Sequence, residues 1–122
     1  MTYADKLNQA KAHYPFKRWH EPFEDRLEEQ YTQENCDKMQ GIFDDLIVDF
    51  VAKGDLASES EKVKSFRGAI KVTNKLNDRT GMIETAQREE LCELIDIISL
   101  AVDLNSKNYG DGYGLADEWR DW

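Results

Sequence analysis

Residues 107–118 read K-N-Y-G-D-G-Y-G-L-A-D-E, which is the length of a calcium-binding EF-hand loop. With Asp111 at loop position 5, Gly112 falls on the glycine position and Glu118 on the bidentate one. Lys107 and Tyr109 then stand at positions 1 and 3, where the ion needs carboxylate or amide oxygens. An ammonium at position 1 repels calcium, so the ligand chemistry argues for another role.

The other chemistry-bearing residues are scattered. His13 and His20 flank Pro15 and do not share the i, i+4 face of a helical metal motif. A zinc site would need both histidines to meet Cys36 and Cys92 from three separate segments. The cysteines have no C-x-x-C partner and fit reduced core thiols better than a disulfide framework. Ser58 and Ser60 fit a helix cap, and no phosphate-cradling glycine motif is present. Glu90 and Glu93 are one helical turn apart, but no histidine falls in the clear helical stripes to complete a bundle di-metal site. No residue is therefore assigned a catalytic, cofactor-binding or metal-binding role, and the chain is not expected to be an enzyme.

Helical periodicity dominates the positioning elements. A short opening helix is expected from Thr2 to about His13, with Tyr3, Leu7 and Ala10 on one face and Pro15 ending it. A loop should follow, then a helix of two or three turns with Pro22 in its first turn. Phe16, Trp19, Phe23, Leu27 and Tyr31 are the apolar residues of that region. From Thr32 to Lys53, a stripe of Cys36, Met39, Phe43, Leu46, Ile47 and Phe50 predicts a long helix stopped by Gly54. Ser58 and Glu61 form a capping box that opens a third clear helix, with Val63, Phe66, Ile70 and Leu76 inward. The last helix should run from Thr85 to about Asp103 on Leu91, Leu94, Ile95, Ile98 and Val102. No segment alternates long enough to be a strand. The expected fold is all-α: one domain over residues 1–122, an antiparallel bundle of four to five helices.

The charge is patterned along the chain. Residues 1–20 carry net +3, residues 21–61 net −10, residues 62–79 net +5 and residues 80–122 net −7. The whole chain is at −9, a balance that does not attract nucleic acid; it either favours a basic partner or simply keeps a small protein in solution, and charge alone favours the second. Lys64, Arg67, Lys71 and Lys75 form a basic stripe, expected to pair with acids across helices inside the bundle. No apolar run is long enough to span a membrane, and the opening residues lack a secretory apolar region, so a cytoplasmic location is expected.

Two surfaces are candidates for binding another protein. One is the outer side of the Thr32–Lys53 helix, where Asp37, Asp44, Asp45 and Asp49 surround Val48. That face either grips a basic partner or receives another piece of this chain. The other is the C-terminal tail, with Tyr109, Asp111, Tyr113, Trp119, Arg120 and Trp122, types that dominate interface hot spots. Gly110, Gly112 and Gly114 can turn such a tail back onto the bundle, the simplest way to cover two terminal tryptophans.

The R-E-E-L-C-E-L-I-D run of the last helix and the E-W-R-D-W terminus, in a small acidic helical chain, resemble bacterial immunity proteins of contact-dependent and secreted toxin systems. The resemblance covers about residues 85–122 in pattern. It implies a cytoplasmic, non-enzymatic protein that binds a cognate toxin and occludes its active site. No functional residue carries over, because toxin-binding surfaces in that group differ between pairs. The alternatives are an acidic nucleic-acid mimic that blocks a DNA-binding enzyme, against which the +5 segment argues, and a small helical enzyme or metal protein.

Overall fold

A computed structural model describes residues 2–21 and 29–122. Pro22, Phe23 and Leu27, and the helix expected after Pro22, lie outside the described residues. Among the described residues the chain forms six α-helices joined by turns and 3-10 segments, with no strand.

Helix α1 spans Tyr3–Gln9 and opens on a full capping box between Thr2 and Asp5. It tightens into a 3-10 turn over Ala10–His13, buries Leu7 and Ala10, and stops before Pro15. Helix α2, Phe16–His20, stands where a loop was expected. Packing rather than length holds this single turn together. The Phe16 ring stacks on Phe43 at 5.7 Å and meets Trp19 edge-on at 5.2 Å.

Helices α3 (Gln33–Lys53) and α4 (Glu59–Thr80) form the central hairpin. Thr32 caps α3 through the Asn35 amide, and all six residues of its expected stripe are buried. Gly54 ends it at φ 79°. Ser58 and Glu61 cap α4 reciprocally, and Gly81 closes it in the left-handed conformation, its amide donating to the Asn77 carbonyl. A Ser65–Asp49 hydrogen bond of 2.5 Å and the Phe50–Phe66 ring pair at 5.1 Å fix an antiparallel register between the two.

Helix α5 (Thr85–Ala101) buries Leu91, Leu94, Ile95 and Ile98. It ends two residues earlier than expected, because Asp103 turns left-handed at φ 61°. That turn sends Leu104 back into the core, its amide donating to the Ser99 carbonyl at 2.9 Å. Arg18 pairs with Glu90 at 3.0 Å, and the buried Tyr31 hydroxyl donates to the Met82 carbonyl.

The C-terminal tail folds back. Gly110, Gly112 and Gly114 all have positive φ and make the corner. The chain then enters α6 (Ala116–Trp119), which packs on α4. Leu115 is fully buried and Ala116 nearly so. Trp119 and Trp122 lie partly buried against the same core.

Candidate protein-binding surface

The α3 face is built as its periodicity requires, but its acids are not equally available. Asp44 accepts a 2.9 Å hydrogen bond from the Tyr14 hydroxyl. Burial, and then this carboxylate, push the Tyr14 phenol far above its usual range. Asp49 accepts from Ser65 and pairs with Lys53 at 3.1 Å. The Ser65 hydrogen bond is the main reason its carboxyl titrates below the usual range. Asp37 is exposed and accepts from Gln33 one turn back, while Asp45 points to solvent. Val48 is 64% exposed, so it is not capped by another part of the described chain.

The tail candidates divide the same way. The Asn74 side chain binds the tail twice, donating to the Trp119 carbonyl at 2.9 Å and accepting from the Asp121 amide at 3.2 Å. Arg120 pairs with Asp117 at 2.6 Å and lies over the Trp122 ring at 5.6 Å. The Tyr109 hydroxyl donates to Glu59, and its phenol is pushed up to about 12 by desolvation and then by that carboxylate. Trp119, Trp122 and Tyr109 therefore hold the tail to the bundle, while Arg120 braces the tail internally. Asp111 and Tyr113 remain outside, with Tyr113 77% exposed.

The basic stripe corrects its expectation. Lys64, Arg67, Lys71 and Lys75 are all exposed, and among the described residues none has a carboxylate within 4.0 Å. The edge of α4 that faces α3 is occupied instead by Ser65, Gly68, Ala69 and Val72.

Another acidic surface with an exposed apolar residue was not among the sequence candidates. Leu100 is 76% exposed on α5. It lines a shallow cleft of about 650 Å³ with Glu93, Asp96, Ile97, Asp103 and Leu104. No Lys or Arg lines that cleft, but Ile97, Leu100 and Asp103 also border a neighbouring cleft lined by Lys6 and His13. Leu100 comes nine positions after Leu91, which is two and a half turns, so it points directly away from the buried stripe. That phase was the readable signal. The tail corner sits beside the same surface, because Gly114 packs against the Asp96 carboxylate. Burial, and then Asp117, raise the Asp96 carboxyl above its usual range.

Among the described residues no group of three or more His, Cys, Asp and Glu side chains is placed to hold a metal ion. His20 bonds the Tyr31 carbonyl through Nδ1 at 2.9 Å, and His13 is exposed. Burial, and then Asp37, push the Cys36 thiol up to about 11, and burial chiefly raises that of Cys92, which leaves both as poor nucleophiles. No described helix is long and apolar enough to cross a membrane. No protein-family model, curated protein or solved structure matches the chain.

Proposed function

We propose that the protein is a non-enzymatic binding protein that docks a basic partner on the outer face of α5 and acts by occlusion. The observation that carries this reading is Leu100, three-quarters exposed on a cleft whose charged lining residues are all carboxylates. An exposed leucine alone is ordinary. An exposed leucine that shares a cleft with Glu93, Asp96 and Asp103 is an apolar anchor beside three carboxylates. Such a surface steers a Lys/Arg-rich partner in and then buries one apolar contact. Asp37, Asp45 and Val48 on α3 form a second acidic surface of the same kind, weakened because Asp44 and Asp49 already serve the fold.

An immunity protein that blocks a basic toxin in the cytoplasm is the biological form of this reading, in line with the resemblance of residues 85–122. The test is capture by the immobilised full chain from lysate of its native organism. A basic protein should be retained in low-salt buffer and released at about 1 M salt, where screening reaches a few ångströms. Retention of no basic protein at low salt contradicts the proposal.

A further inference from the structure

Helices α3 and α4 enclose a groove whose lining shares no residue with the cleft around Leu100. Its walls include Ile42, Asp45 and Asp49 on α3, and Ser65, Ala69 and Val72 on α4. The Asp49–Ser65 hydrogen bond sets these residues level in pairs: 49 with 65, 45 with 69, and 42 with 72. Val72 is 51% exposed and Gly68 leaves open space beside it. The groove continues past Lys38 on α3 and past Lys75, Leu76, Asp78 and Arg79 on α4, where its charged lining is mixed.

The two helices that flank this groove have opposite net charge. Helix α3 carries five carboxylates against two lysines, and α4 carries six bases against three acids. The bases Lys64, Arg67, Lys71, Lys75 and Arg79 have no ion-pair partner among the described residues. A face with an acidic helix, an apolar floor and a basic helix is complementary to itself.

We propose that this face binds a second copy of the chain, in a two-fold dimer whose axis runs parallel to the groove. Only that axis lays α3 of each protomer against α4 of the other. An in-plane axis across the groove would set α3 against α3 and α4 against α4, like charge on like charge. The parallel axis preserves height along the helices, so the register within one hairpin predicts the contacts between two. Asp49, which already holds Ser65 and Lys53 of its own chain, lies level with Ser65, one residue from Lys64. Asp45 lies level with Ala69, between Arg67 and Lys71. Asp37 lies level with position 77, between Lys75 and Arg79, and Glu34 lies level with position 80, beside Arg79. At about 1.5 Å per residue, each carboxylate comes within roughly 3 Å, along the axis, of a base on the facing helix. Helices of 21 and 22 residues side by side present roughly 600 Å² per protomer, the lower range of specific interfaces.

The dimer does not use the α5 face, so its test stands apart from that of the basic partner. Light scattering on the eluting full chain should give twice the 14.2 kDa chain mass. Two doubly charge-reversed chains decide the geometry: Lys71→Glu with Lys75→Glu, and Asp37→Lys with Asp45→Lys, all at exposed positions. Each alone should run as a monomer with an unchanged helical circular dichroism spectrum. An equimolar mixture should recover the dimer, because each copy then offers what the other lacks on both helices. A wild-type monomer at about 100 μM, a charge-reversed chain that dimerises alone, or a folded mixture that stays monomeric overturns the proposal.

Discussion

Gly114 and Asp96 pack so closely that a Cβ at position 114 would sit 2.6 Å from Asp96 Oδ1. Gly114 also has φ 111°, a conformation that side chains rarely adopt. This contact seats the tail corner on α5, next to the cleft around Leu100. Gly114→Ala should therefore destabilise the fold by about 1–3 kcal/mol, through backbone strain and collision with the carboxylate. Urea denaturation measures it, and a change below about 0.5 kcal/mol would mean that the corner is not seated as described.

Asp96 also predicts a pH dependence. Its carboxyl titrates above the usual range, chiefly through burial and then through Asp117, so the folded state holds its proton more tightly than the unfolded chain does. Stability from this group is thus greatest at low pH and falls as pH rises from the ordinary aspartate value, about 3.9, through the raised folded value. Asp96→Asn should stabilise the protein at pH 7 and lose that advantage below about pH 3.9. Thermal melts at both pH values check the sign.

Asp49 behaves in the opposite sense. The Ser65 hydroxyl and then Lys53 hold its carboxyl low against the opposing effect of burial. Its contribution is present above the ordinary aspartate value and disappears as pH falls through the lowered one. Ser65→Ala should cost about 1 kcal/mol at neutral pH and progressively less as the carboxyl protonates. A cost that does not change with pH would separate Ser65 from Asp49.

Asn74 is the clamp on the tail, with one side-chain group on the Trp119 carbonyl and the other on the Asp121 amide. Asn74→Ala should cost about 1–2 kcal/mol. It should also shift tryptophan emission to the red as Trp119 and Trp122 meet more water. Unchanged emission with an unchanged midpoint would show that Leu115 and Ala116 hold the tail without the clamp.

The stripes on α3, α4 and α5 were legible because 3.6-residue periodicity reports directly which side meets the core. Cys36, Met39, Phe43, Leu46, Ile47 and Phe50 are all buried. Periodicity does not report which edge of a helix faces its neighbour, which is why Lys64, Arg67, Lys71 and Lys75 were expected in ion pairs and stand in solvent. Short elements escaped for another reason. The single turn Phe16–His20 and the buried Leu104 and Leu115 are placed by contacts distant in sequence, not by local pattern. The tail's fold-back was readable from its glycines and tryptophans. The division of its residues between clamp and surface depended on partners such as Asn74 and Glu59, far away in the chain. The exposure of Leu100 follows from its phase, half a turn from the buried stripe.

Leu100 is exposed, so replacing it should leave stability within about 0.5 kcal/mol. Replacing it with arginine puts a cation on the cleft that Glu93, Asp96 and Asp103 line. The most direct test is to immobilise wild type and Leu100→Arg, confirm equal thermal midpoints, and compare the basic protein each retains from the same lysate in low salt. The wild-type chain should hold it, and the variant should lose at least tenfold in affinity, about 1.4 kcal/mol. Equal retention by the two would contradict docking at the α5 face.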